Sequence, residues 1–166
     1  MPSPRISKEL NSGTYFLTFT VKNWYYVLDR HNRFEILCNA IRYYQENKGL
    51  KLHAYVFMIN HIHLIVSSPD AIAFVRDFKR YTSLQLQKNI IASDPGLIQL
   101  FLIDGKWDFW QDTNMPKMVE SEKYFLQKAD YIHNNPVRRQ YVQDSSHWFW
   151  SSANPDSPIK IEDIET

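Results

Sequence analysis

A chain of 166 residues is long enough to bury one core without disulfide or metal staples, and its 44% hydrophobic and 15% aromatic content excludes a disordered chain. The formal net charge of +1 leaves any nucleic-acid surface to local clustering, and the single cysteine, Cys38, excludes an internal disulfide and gives no sign of a cysteine-based metal site. With no charged-then-apolar leader and no apolar run long enough to span a bilayer, the expectation is a soluble cytoplasmic protein.

Residues 1–12 are polar and read as an ordering arm or a loose end. From Thr14 to Val21 the chain alternates, with Tyr15, Leu17, Phe19 and Val21 facing one way and Phe16, Thr18 and Thr20 the other, which predicts a central strand. Residues 23–28 form an aromatic connection. Asp29 is the expected cap of a helix with the stripe Phe34, Leu37, Cys38, Ile41 and Tyr44, stopped at Gly49. Two apolar runs, Tyr55–Met58 and Ile62–Val66, are expected as strands of a hairpin. Ser68-Pro69-Asp70 offers the hydroxyl, proline and early acid of a helix start. The helix that follows, to about Ile91, is expected to bury Ile72, Val75, Phe78, Thr82 and Leu86.

Ser93–Gly96 breaks that helix, and an apolar link leads to Trp-Asp-Phe-Trp-Gln-Asp at 107–112, expected as a strand or extended loop. Ser121 can cap a third helix, which Pro136 is expected to end because proline cannot donate to the ladder. Trp148–Ser152 reads as an aromatic plug and residues 153–166 as a mobile tail. The order predicts an α+β fold: a ferredoxin-like βαββαβ antiparallel sheet with helices on one face plus a C-terminal tyrosine-bearing helix, in one domain over residues 1–152.

In the second hairpin strand, alternation puts His61, His63, Ile65 and Ser67 on one face and Ile62, Leu64 and Val66 on the other. Two imidazoles one pleat apart project together and can hold a divalent cation. Taken alone, the pair reads equally well as hydrogen-bonded structural residues. On the third helix, Phe125, Ala129 and Ile132 should pack down, while Tyr124, Lys128, Tyr131 and Asn135 follow the adjacent face. Tyr131 and Asn135 are one turn apart, so a phenol and an amide oxygen can point to one place. An amide oxygen is a hard-metal ligand and a phenolate is a nucleophile.

Phe-Met-Ile-Asn-His-Ile-His-Leu-Ile-Val, then the 107–112 segment, then Tyr124–Val142, then Trp-Phe-Trp-Ser-Ser resemble, in this order, the single-tyrosine (HUH) transposases. The resemblance is strongest to the REP-associated branch of the insertion-sequence-200-like enzymes and runs from about Thr14 to Ser152. It implies cleavage and rejoining of single-stranded, hairpin-bearing DNA with Mg²⁺ or Mn²⁺ as cofactor. By position it makes His61 and His63 the metal pair, Asn135 a third ligand, and Tyr131 the nucleophile that forms a 5′-phosphotyrosine link. A homodimer is compatible with it. Two departures stand out: Ile59 replaces a proline common before the Asn-His, and Arg139-Gln140 replaces an Ala-Gly, so a glycine turn at the helix exit is missing.

Further residues are candidates for DNA contact. Arg76, Lys79 and Arg80 share one helix face and are expected beside the His pair. Trp107 and Trp110, with Gln111 beside them, could stack on unpaired bases at roughly 1–3 kcal/mol each, or enter the core instead. Arg138 and Arg139 follow the tyrosine helix as candidate backbone contacts. Tyr81 and Tyr124 are the rival tyrosines, and His53 and His133 read as surface or hydrogen-bonded groups. Two alternatives stay open: a hairpin-binding protein with little cleavage activity, and a metal-dependent phosphodiesterase that cuts without a covalent step.

Overall fold

The computed structural model describes residues 5–165; residues 1–4 of the expected arm and Thr166 of the expected tail lie outside them. The alternating run near the N-terminus becomes β1 (Gly13–Thr20), followed by α1 (Arg33–Asn47), β2 (Lys51–Phe57), β3 (His61–Ser68) and α2 (Ala71–Ser93). Two-residue strands β4 (Leu102–Ile103), β5 (Lys106–Trp107) and β6 (Lys117–Met118) precede α3 (Glu122–Arg138). The antiparallel sheet has the order β2-β3-β1-β6, which is the expected βαββαβ arrangement with a short last strand.

Residues of alternate parity go to opposite sides of this sheet. Leu17 and Phe19 of β1 and Ile62, Leu64 and Val66 of β3 join the core beneath α1 and α2, which supply Leu37, Ile41, Phe74 and Phe78. Each such buried side chain contributes roughly 1.5–3 kcal/mol. Phe16, Ala54, Val56 and Ile65 turn the other way and pack with Ile132, Phe125 and Ala129 of α3. The two sides thus have different occupants, and α3 shares its side with Val119, Trp148 and Ile164.

Six local expectations are corrected. Asp29 does not cap α1; Asn32 occupies the cap position at φ 59° without a side-chain bond, and Asp29 pairs with Arg30 at 3.1 Å. Ser68 is the last residue of β3, paired to Gly13, so α2 starts later, with the Asp70 carboxylate accepting from the Ala73 N–H. Its inward stripe is therefore Ala71, Phe74, Phe78, Thr82, Leu86 and Ile90, and Ile72 and Val75 are only half-buried. The fourth strand is Lys117–Met118 rather than the aromatic segment, whose start folds into the β4–β5 ribbon across Asp104 (φ 51°) and Gly105 (φ 75°), two left-handed residues that suit a tight hairpin.

Pro136 does not end α3. The helix runs on to Arg138, and Gln140 at φ 63° closes it. The Tyr141 N–H donates to the Pro136 carbonyl at 3.0 Å and the Gln140 N–H to the Val137 carbonyl at 2.9 Å, which is the Schellman pattern with glutamine in the place usual for glycine. The C-terminal segment, expected to be loose, lies along β2. Ile159 is buried, the Glu162 N–H donates to Leu52 at 2.9 Å, and Ser152 donates to Tyr55 at 3.0 Å. Apolar anchors and free backbone groups of an edge strand explain why this polar stretch is held.

Candidate active site

The β1–β3 register aligns Thr18 with His63 and Thr20 with His61, so both imidazoles rise from the side of the sheet that α3 covers. They are buried, with ring centroids 4.9 Å apart. His61 Nδ1 lies 2.7 Å from Asn60 Oδ1. A carbonyl oxygen only accepts, so Nδ1 carries the proton and Nε2 keeps its lone pair. His63 Nδ1 meets the Thr18 hydroxyl at 2.9 Å. Burial, then the charge of Arg139, pushes His61 down to about 4. Burial, then His61 and the nearby cations, pushes His63 down to about 3. Both rings are therefore neutral bases at pH 7, the form that ligates a metal.

Asn135 reaches the same place from α3. Its amide is buried, and Nδ2 stands 3.3 Å from His61 Nε2; a half-turn of the amide would present Oδ1 there instead. Among the described residues no third His, Cys, Asp or Glu joins the pair, and the Asn135 amide is the further donor beside it. Two imidazoles steered by Asn60 and Thr18, together with an amide oxygen, fit a divalent cation that keeps waters or phosphate in its other positions.

Tyr131 lies one turn before Asn135 on α3. Its ring centroid is 5.4 Å from that of His63 in the same chain, at an angle of 68°, and the side chain is 43% exposed. The Arg138 guanidinium sits 4.4 Å from the ring centroid and Lys128 Nζ 5.5 Å from it. Lys128 also lies over Phe16 and Tyr124, at 5.0 and 5.5 Å. A cleft of about 360 Å³ holds His61, His63 and Tyr131 together with Thr18, Thr20, Lys117, Lys128 and Arg139. The arrangement sets a phenol, open to solvent, against a buried neutral donor pair inside a ring of positive charge.

The sequence of residues 9–135 matches the family described as IS200-like transposase. The chain belongs to the IS200-like transposase family. A REP-associated tyrosine transposase of Escherichia coli K12 is 23% identical over 148 residues, covering 89% of this chain and 80% of that one. The solved structure of a REP-associated tyrosine transposase bound to a REP hairpin matches with a TM-score of 0.69 at 20% identity, over 92% of this chain and 82% of that chain. The structural likeness shows a shared fold. As an IS200-like transposase the chain is a DNA-cleaving enzyme of DNA transposition, and DNA is its partner. Among the described residues no helix is long and apolar enough to cross a membrane.

Other candidates of the transposase fall elsewhere. Arg76, Lys79 and Arg80 are on α2, across the sheet from the histidines, because that helix packs on the opposite core; they do not flank the site. Arg76 pairs with Asp77 at 2.9 Å, and Lys79 is spent on the Gln111 and Asp112 carbonyls at 2.9 and 3.0 Å. Arg80 borders a groove between α1 and α2 with Tyr43 and Tyr81. Trp110 is buried and its indole N–H donates to Thr82 at 2.9 Å, which removes it as a stacking platform. Trp107 is half-buried and donates to Ser83 at 3.0 Å. Gln111 is the exception, since its backbone N–H donates to the carbonyl of Thr20, a cleft residue, at 2.8 Å. His133 bonds Ser152 and His53 bonds Ser67, each at 2.7 Å, away from the pair.

Some cleft residues carry no signature of their own in the sequence. Trp24, Met115 and Lys117 line it, from connections and a two-residue strand that have no period to read. Thr18 and Thr20 were legible only as residues on one face of their strand, and Lys128 only as a neighbour on the Tyr131 face.

Proposed function

We propose that the transposase cuts and rejoins single-stranded, hairpin-bearing DNA by metal-dependent transesterification, with Tyr131 as nucleophile and His61, His63 and Asn135 holding Mg²⁺ or Mn²⁺. The observation that carries this reading is the placement of the Tyr131 ring 5.4 Å from the His63 ring within one chain's cleft. When bound, the cation supplies charge neutralisation at a non-bridging phosphate oxygen. Tyr131 Oη attacks phosphorus, a Tyr–O–P bond forms and the P–O3′ bond breaks. The phenol proton passes to water at the open mouth, and the leaving 3′ oxygen takes one up. Attack by a 3′ hydroxyl on the 5′-phosphotyrosine reverses these changes and rejoins strands without a further energy source. Arg138, Arg139 and Lys128 then hold the phosphates that flank the cut, a role supported by the positions of Arg138 and Lys128 over the Tyr131 ring and of Lys128 and Arg139 in the cleft. A single protomer carries the whole set, which supports cleavage in cis rather than by a partner's tyrosine.

Incubation with labelled repeat-hairpin single strands and Mg²⁺ or Mn²⁺ should yield a covalent protein–DNA adduct on denaturing gels, absent from Tyr131→Phe and from metal-free reactions. An adduct that survives Tyr131→Phe would overturn the nucleophile assignment. Metal-dependent cutting with no adduct would replace transesterification by hydrolysis, and hairpin binding with no cutting would reduce the chain to a DNA-binding protein.

A further inference from the structure

We propose that Trp24, with Met115, forms a subsite for one unpaired nucleobase of the strand that crosses the His61–Tyr131 cleft. The inference rests on the single-strand reading above and adds to it a residue that selects bases over backbone. Trp24 is 52% exposed and lines the cleft. Three other indoles donate their N–H to protein acceptors: Trp107 to Ser83, Trp110 to Thr82 and Trp148 to Phe57. Trp24 is set apart from other exposed aromatics such as Tyr26, Tyr43 and Phe149 by lining the cleft with His61 and Tyr131, where its ring offers a broad apolar face.

The backbone that holds it there is specialised. Asn23 and Trp24 have φ of 54° and 59°, consecutive left-handed residues inside a three-residue turn at Lys22–Trp24. Asparagine tolerates this region, whereas tryptophan adopts it against its Cβ. Strain of that kind persists where neighbouring structure fixes it, and it concentrates at binding sites. Here the Trp24 N–H donates to Val21 at 2.9 Å, and its carbonyl accepts from Asn60 Nδ2 at 3.4 Å. The same Asn60 side chain receives His61 Nδ1. One amide therefore ties the tryptophan turn to a candidate metal ligand, and the indole centroid lies 6.5 Å from that of His61.

Met115 repeats the pattern, being 49% exposed with φ 43°. A thioether is polarisable and adapts to a flat ring laid against it. Arg139, Lys117 and Lys128 line the same cleft and suit phosphates on either side of the stacked base. An indole face accepts any of the four bases, but only from a strand whose bases are unpaired. The class of ligand is thus a nucleobase of single-stranded DNA adjacent to the scissile phosphate.

The test measures binding without divalent cation, in the full chain carrying Tyr131→Phe, so that no cleavage intervenes. The probes are a thymidine oligonucleotide of about twelve nucleotides and an abasic deoxyribose-phosphate strand of the same length. Trp24→Ala should weaken thymidine binding by roughly 5- to 100-fold and abasic binding by less than about twofold, with Trp24→Phe keeping most of the preference. Thymidine should also quench tryptophan fluorescence in the parent chain more than in Trp24→Phe, which retains a ring and the fold. Equal losses on both strands, no loss on either, or quenching unchanged in Trp24→Phe would overturn the subsite. None of these readouts depends on adduct formation, so failure of the nucleophile assignment and failure of the base subsite are separate results.

Discussion

The Arg138 guanidinium lies 4.4 Å from the Tyr131 ring centroid and donates to the Tyr131 carbonyl at 3.1 Å. One side chain therefore braces both the ring and the backbone of the proposed nucleophile from a position two turns further along α3. Cation–ring contacts at exposed sites are worth roughly 0.5–1 kcal/mol. Arg138→Ala should slow single-turnover adduct formation by about 2- to 10-fold, and Arg138→Lys by less, with the melting temperature little changed. An undiminished rate in Arg138→Ala would remove it from the site.

Asn60 is buried, and its Oδ1 fixes the tautomer of His61 at 2.7 Å. Loss of such an outer partner typically weakens metal affinity by about 10- to 100-fold. Asn60→Ala should raise the Mn²⁺ concentration for half-maximal adduct yield by that factor, with the yield recovering at saturating cation. Titration of adduct yield against Mn²⁺ for the two chains checks it.

Arg33 is wholly buried and gives its N–H groups to Asn89 Oδ1, the Val27 carbonyl, Ser93 Oγ and Asp94 Oδ2, the last at 2.9 Å. That hydrogen bond, against some desolvation, holds the Asp94 carboxyl below its ordinary 3.8. A carboxyl lowered in the folded state binds its proton more weakly there than in the unfolded chain. Its contribution is therefore full above about pH 4 and is lost as pH falls through the folded value. The urea midpoint should drop more steeply below pH 4 in the native chain than in Asp94→Asn. Parallel slopes would show that the pair plays no part in acid sensitivity.

Gln140 holds the left-handed residue of the α3 exit at φ 63°. A side chain in that region costs roughly 1–2 kcal/mol relative to glycine. Gln140→Gly should stabilise the protein by about 1 kcal/mol, read as a higher urea midpoint. Gln140→Val, branched at Cβ, should do the reverse.

Periodicity carried most of the frame. Alternation put His61 and His63 on one face of their strand and Thr18 and Thr20 on one face of theirs, and helical spacing put Tyr131 and Asn135 together, because both patterns are local properties of the backbone. That the two strand faces coincide comes from the β1–β3 register. The misplacements have tertiary causes. Trp110 looks like a stacking residue until Thr82, 28 residues earlier, takes its N–H. Lys79 looks free until carbonyls 32 and 33 residues later claim it. Pro136 was expected to stop a helix, yet its fixed φ is helical and it costs one donor and crowds one carbonyl, so the helix continues for two residues before a left-handed stop. Trp24 had no pattern to reveal it, since its position comes from two positive φ angles in a connection.

The bonds along β2 have a temporal side. Tyr55 is bridged to Ser152 across 97 residues and His53 to Glu162 across 109. A chain emerging from the ribosome at roughly 5–20 residues per second leaves that strand margin bare for on the order of 5–20 s before its cover is made. The histidine-bearing hairpin is thus synthesised well before the segment that covers its edge strand, and in that interval the edge offers unpaired backbone groups to another chain.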